Sequence, residues 1–131
     1  MVHFARDPAG EVGQEVQAGA ADIVVDGGNP GAAAAFGTSC AVLAQRFTHL
    51  VTLSVTDFGT SGPRASWRAT DAVLYALSTA LSRTGPTSGT PVLPPVGIAS
   101  ATAAAQAAWA ALAAYYRRLR DGTGDYIDFS R

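Results

Sequence analysis

Residues 50–71 read LVTLSVTDFGTSGPRASWRATD, a β-strand pattern followed by a glycine-rich loop and a helix start. Apolar residues dominate positions 50–55, and the threonine and serine between them are tolerated in strands. Gly62-Pro63 is a turn sequence, and Thr70 is expected to cap a helix that has Asp71 in its first turn. In an open α/β sheet, ligands bind at the end of a strand where such a loop follows. The loop is therefore a candidate binding region.

Strands and helices are expected to alternate on both sides of this stretch. Further strands are expected at 2–5, 23–25 (buried) and 126–129. Helices are expected at 7–19, 38–47 and from 70 to a stop at Gly85-Pro86. The longest helix, 101–120, is expected to have Ser100 as its N-cap. The alternation predicts an α/β fold with a Rossmann-like, mostly parallel sheet flanked by helices.

Each of the last two helices carries an apolar face at helical spacing. In the helix after Thr70, the face consists of Val73, Leu74, Leu77 and Leu81. In the longest helix, it consists of Trp109, Leu112, Tyr116 and Leu119. The simplest interpretation of Trp109, Tyr115 and Tyr116 is core and helix-end packing, and the alanine residues elsewhere on the longest helix allow close packing on a sheet or a second helix.

Size and composition exclude several classes of protein. A chain of 131 residues forms one domain at most, and a net charge of −1 argues against nucleic-acid binding. One cysteine, Cys40, allows no internal disulfide and favours a reducing, cytoplasmic location. No signal peptide or membrane-spanning stretch is visible. With two histidines and one cysteine, no metal site is expected.

Three sequence blocks resemble those of the family III CoA-transferases (the CaiB/BaiF family). The blocks are DIVVD at 22–26 with NPG at 29–31, SVTDFGTSGP at 54–63 with WRATD at 67–71, and GTGDYIDFS at 122–130. Their order and spacing agree with the family from residue 7 to 130. The resemblance implies transfer of CoA from an acyl-CoA to a carboxylate, with coenzyme A as a substrate and no covalently bound cofactor. Because the family's chains are much longer, residues 1–131 would be a single partial domain, a slice of the N-terminal domain.

The resemblance also places individual residues beside CoA. They are Gly28, Ala32, Phe36, Thr56 and Phe58. The family usually has an arginine at the position of Ala35, where it meets CoA phosphate, so CoA is expected to bind weakly here. From the residues alone, the loop at 27–31 is better explained as a plain strand-to-helix turn. The loop at 56–59 could equally be such a turn, with Phe58 in the core.

Ser100 occupies the position of the family's nucleophile. The family motif is roughly Ile-Ala-Asp at the start of this helix, and the chain has Ile98-Ala99-Ser100. The chemistry needs an ionised carboxylate that forms an anhydride and then a thioester. A serine keeps a capping role but loses the charge. Other carboxylates, Asp71 among them, are expected to have structural roles of their own, so the sequence predicts a degenerate site that transfers no CoA.

Three functions remain open at this point. The first is an incomplete CoA-transferase domain without its nucleophile. The second is a non-catalytic structural or dimerisation module, which associates with itself or pairs with a competent CoA-transferase subunit. The third is an unrelated nucleotide-binding α/β domain, supported only by Gly27, Gly28 and Gly31. The coding sequence on either side would discriminate between the first two.

Overall fold

The computed structural model describes residues 20–27 and 38–131, together with the backbone of residues 2–3. The strands are β1 (Val2–His3), β2 (Ile23–Asp26), β3 (Val51–Thr56) and β4 (Tyr126–Ser130). The helices within these residues are α1 (Cys40–Arg46), α2 (Asp71–Leu77) and α3 (Ile98–Asp121), with a 3₁₀ turn at Ala80–Arg83. The helix expected at 7–19 lies outside the described residues.

The four strands form one parallel sheet in the order β1-β2-β3-β4. Ile23 of β2 pairs with Val51 of β3, and Leu53 of β3 pairs with Ile127 of β4. Because the strands are parallel, their carboxyl ends lie at one edge of the sheet. The predicted Rossmann-like α/β fold is therefore confirmed.

Hydrophobic clusters cover both faces of this sheet. Alternate residues of a strand point to opposite faces, so Val24 packs towards Leu43 of α1 on one side. Val25 packs towards Leu53 and α3 on the other side. The first four residues of β3 are buried, whereas every residue of β2 is only partly buried. The prediction of a buried β2 is therefore wrong, and β3 is the buried centre of the sheet.

α3 packs on the sheet through its small residues and not through its large apolar ones. Its buried residues are Ala103, Ala107 and Ala111, spaced one turn apart. The four large apolar residues are instead exposed: Trp109 by 74%, Leu112 by 56%, Tyr116 by 66% and Leu119 by 64%. Small side chains let the helix backbone approach β3 closely, and the bulky side chains then point away from the sheet. The interpretation of Trp109 and Tyr116 as core packing is therefore wrong.

α2 is shorter than the sequence suggested. It ends at Leu77, and Thr79 adopts a left-handed conformation (φ 62°) before the 3₁₀ turn begins. Leu81 thus lies beyond α2, while Val73 and Leu77 are 41% and 56% exposed. The single continuous apolar face predicted for this helix does not form.

No helix in the described part of the chain combines the length and the hydrophobicity needed to cross a membrane.

Candidate active site

A cleft of about 770 Å³ opens at the carboxyl edge of the sheet. Its walls come from the β3–α2 loop, from α2 and from the first turns of α3. Most of the lining is apolar and includes Phe58, Leu74, Leu77, Ile98, Ala103 and Phe129. Its charged lining groups are Asp57, Arg64 and Arg131. Apolar walls with a few convergent polar groups are typical of small-molecule sites.

The floor of the cleft is an ion pair between Asp57 and Arg131. The Asp57 carboxylate is only 7% exposed, and its Oδ1 accepts hydrogen bonds from Nε of Arg131 at 2.8 Å and from Nη2. Its Oδ2 accepts the Ala69 N–H at 2.7 Å. The backbone N–H of Arg131 donates to the Thr56 carbonyl at 2.9 Å. Asp57 therefore joins the ends of β3 and β4 to the end of the loop.

The β3–α2 loop is also held by β4 and by its own aromatic residues. Thr60 donates from its hydroxyl to Asp128 Oδ2 at 2.6 Å, and its backbone N–H reaches the same oxygen at 3.0 Å. The rings of Phe58 and Trp67 pack edge to face, with centroids 6.1 Å apart. The Arg64 guanidinium lies over Trp67, 5.5 Å from the ring centroid. These contacts hold the β3–α2 loop, which forms one wall of the cleft, in place.

Of the five residues that the resemblance placed beside CoA, the structure describes two, Thr56 and Phe58. Phe58 lines the cleft and packs on Trp67. Thr56 ends β3 but does not line the cleft, and its buried hydroxyl has no hydrogen-bond partner among the described residues. Gly28, Ala32 and Phe36 lie outside the described residues, as does Ala35.

Contrary to the expectation from the sequence, Ser100 is not the N-cap of α3. Gly97 is the N-cap, with φ 96°, so the helix begins at Ile98 and Ser100 lies in its first turn. Glycine reaches this left-handed backbone conformation at little cost. The Ser100 hydroxyl donates to Asp71 Oδ1 at 2.8 Å and accepts from Nη1 of Arg131 at 3.2 Å.

Asp71 connects the start of α2 to the start of α3. Its Oδ2 accepts the Gly97 N–H at 2.6 Å, while its Oδ1 holds Ser100. The hydrogen bond from Ser100, followed by those from the Gly97 and Ala99 backbone and by the Arg131 charge, lowers the pKa of Asp71 below its ordinary value. The expectation that Asp71 serves only its own helix start is therefore wrong. An ionised carboxylate does stand at the start of α3.

Sequence reasoning missed Arg131 as a site residue, although a signal for it exists. Arg131 directly follows β4, and in a parallel sheet the end of β4 lies beside the end of β3, where Asp57 stands. The Asp71–Ser100 contact has no such signal, because the two residues lie in separate helices and no strand pairing relates them. His49 lies at the opposite edge, before β3, where its ring packs against Phe47.

Comparison with known proteins identifies the family. The sequence profile of CoA-transferase family III matches residues 7–131, and the chain belongs to this family. It is 75% identical over 114 residues to the probable CoA-transferase Rv1866 of Mycobacterium tuberculosis (strain ATCC 25618 / H37Rv). It is 29% identical over 123 residues to the human succinyl-CoA:glutarate CoA-transferase. The interpretation as an unrelated nucleotide-binding domain is therefore wrong.

A solved structure agrees with this assignment at the level of the fold. A CaiB/BaiF family protein from Brucella suis superposes with a TM-score of 0.78 at 24% identity, covering 95% of this chain and 33% of that protein. The matches cover 87% and 94% of this chain for the mycobacterial and human relatives. They cover only 14% and 28% of those two proteins, so the chain corresponds to a small part of each.

Proposed function

We propose that this chain acts in the transfer of CoA from an acyl-CoA to a carboxylate acceptor, with a site that is degenerate at Ser100. The observation that carries the proposal is the cleft at the carboxyl edge of the sheet. One of its lining residues, Arg131, is hydrogen-bonded to the residue at the family's nucleophile position. Family membership supplies the reaction class.

Ser100 is unsuited to carry the acyl group itself. A serine nucleophile needs a base that removes its proton, and the group that accepts its hydrogen bond is Asp71. Because the pKa of Asp71 is lowered, this carboxylate is a weak base. The product would also be an ordinary ester, which is too stable to pass its acyl group to CoA. Ser100 therefore stands at the site without acting as the nucleophile.

The cleft has room and charge for the acyl and pantetheine portions of a CoA thioester. Apolar side chains such as Leu74 and Ile98 suit the methylene groups of these portions, and Arg64 supplies a cation at the wall formed by the β3–α2 loop. Within the described residues, Arg64 makes a cation–π contact with Trp67 and no ion pair. Ala35, at the position of the family's phosphate-binding arginine, supplies no charge to CoA.

Titration calorimetry with CoA tests this proposal. We expect a saturable heat with a dissociation constant weaker than about 1 µM, because Ala35 provides no cation for the phosphate. Asp125→Asn, at the opposite edge of the sheet, is the matched control and is expected to bind equally. Submicromolar affinity would contradict the assigned phosphate contacts, and absence of heat would contradict binding in the cleft.

A second candidate function is a structural module that associates with itself or pairs with a competent CoA-transferase subunit. The exposed stripe of α3 favours it, because Trp109, Leu112, Tyr116 and Leu119 are all more than half exposed. Contiguous exposed apolar surface of this kind marks interaction sites. In this reading, residues 1–131 are a partial domain whose stripe is covered by another polypeptide.

Sedimentation velocity tests the association. The chain is expected to sediment as a dimer or larger species, and Trp109→Glu is expected to shift it towards monomer, because a charge within the stripe must be desolvated on association. Val42→Glu is the control, since Val42 is 50% exposed on α1, outside the stripe. A monodisperse wild-type monomer with a cooperative melt would contradict association through this face.

A further inference from the structure

Although residue 100 is a serine, a carboxylate lies beside it in the folded chain. Asp71 Oδ1 lies 2.8 Å from the Ser100 hydroxyl, and Asp71 Oδ2 lies 2.6 Å from the Gly97 nitrogen at the start of α3. Arg131 completes the cluster, because it donates to Ser100 and also lines the cleft. The cluster thus places a carboxylate, a hydroxyl and a guanidinium together at the edge of the cleft.

We propose that Asp71 replaces the missing aspartate as the carboxylate that receives the acyl group. Ser100 and Gly97 act as positioning residues that orient the two oxygens of Asp71. This inference rests on the proposed CoA-transferase function, and it assigns the reacting group to α2 instead of α3. Asp71, whose carboxylate is hydrogen-bonded to the Ser100 hydroxyl, then compensates for the missing aspartate at position 100.

The reaction balances with Asp71 as the nucleophile. A carboxylate oxygen of Asp71 attacks the thioester carbonyl, the C–S bond breaks, and CoA leaves as the thiolate, giving a mixed anhydride. The thiolate then attacks the Asp71 carbonyl of that anhydride and releases the donor acid as its carboxylate. The acceptor carboxylate then attacks the carbonyl of the Asp71–CoA thioester and releases the thiolate, giving a second anhydride. The thiolate attacks the acceptor's carbonyl in that anhydride, which forms the new CoA thioester and releases Asp71 as its carboxylate. No oxidant, reductant or net proton is required.

The surroundings of Asp71 suit this role better than those of other nearby carboxylates. Asp71 is partly exposed, and residues next to its two contacts, Ala99 and Ile98, line the cleft. Asp57 is buried, and its carboxylate is paired with the Arg131 guanidinium. Asp121 lies at the far end of α3. A depressed pKa keeps Asp71 ionised and makes its carboxylate a good leaving group.

Trapping with hydroxylamine tests the proposal. The chain is incubated with succinyl-CoA, treated with hydroxylamine and mapped by peptide mass spectrometry. We expect a hydroxamate at Asp71, complete loss of it in Asp71→Asn, and a lower but detectable yield in Ser100→Ala, which removes the positioning hydrogen bond but keeps the carboxylate. Asp121→Asn is the matched control and should react like the wild-type chain. Asp71→Glu should form a hydroxamate at the new glutamate, and this separates loss of the carboxylate from loss of the fold.

Three results would overturn the assignment. One is an adduct located on Ser100, and another is loss of the adduct in Ser100→Ala with retention in Asp71→Asn. The third is a wild-type chain that binds CoA in the calorimeter but forms no hydroxamate, which removes the role of Asp71 and leaves the proposed CoA site standing. If neither binding nor an adduct is seen, the proposed function fails and this inference fails with it.

Discussion

Gly124→Ala is expected to destabilise the chain by about 3 kcal/mol, the upper end of the usual cost of overpacking. A Cβ at this position would collide with the carbonyl group of Leu50 and lie 2.8 Å from the carbonyl carbon of His49. The Gly124 N–H donates to the Thr48 carbonyl at 2.8 Å, so the backbone here is already tied to the turn before β3. β4 can pair with β3 only if this close approach is kept.

Urea denaturation followed by circular dichroism measures the effect. Gly27→Ala is the matched control, because a Cβ added at Gly27 meets no atom of the described residues within 4 Å. It is expected to leave the free energy of unfolding nearly unchanged. If Gly124→Ala and Gly27→Ala unfold at the same urea concentration, the described contact between the two segments is wrong.

Asp57→Asn is expected to lower the free energy of unfolding by about 2 kcal/mol and to abolish CoA binding. Removing one partner of a buried ion pair costs about 3–5 kcal/mol, and the Arg131 side chain is 27% exposed, which reduces the cost. An asparagine amide cannot accept both Arg131 and the Ala69 N–H as the carboxylate does. Without this pair, Arg131 no longer forms the floor of the cleft.

Asp125→Asn provides the comparison for this prediction. It breaks the ion pair with Arg117, whose side chain is 55% exposed, and is expected to cost less than about 1 kcal/mol. Unfolding and CoA titration are measured on both variants. Equal effects of the two substitutions would contradict a structural role of Asp57 in the cleft.

The sequence predicts the sheet well because its signals are local. Residues 50–55 carry a strand pattern, Phe58-Gly59 ends it, and the following loop does form the wall of the cleft. The face of α3 is different, because hydrophobicity favours burial of Trp109 whereas close packing on β3 favours Ala107. Which face of α3 is buried depends on the distance between this helix and the sheet. The spacing of apolar residues in the sequence does not reveal that distance.

The chemistry of the site is harder to predict because its contacts span the chain. The residues around Ser100 predict that it is the N-cap of α3. The N-cap is instead Gly97, so the Ser100 hydroxyl is free to hydrogen-bond to Asp71. Arg131 and Asp57 are 74 residues apart and meet only because β3 and β4 are parallel neighbours. The identity of residue 100 alone therefore does not reveal that the carboxylate of Asp71 lies beside it.

We propose that CoA and its thioesters bind at the carboxyl edge of the sheet. Hydrogen exchange of the chain with and without CoA tests it most directly, because each amide reports its own location. We expect slower exchange in residues 57–70 and 97–103, and no change near Thr48 and Gly124 at the opposite edge. Protection confined to the opposite edge, or none at saturating CoA, would contradict the account.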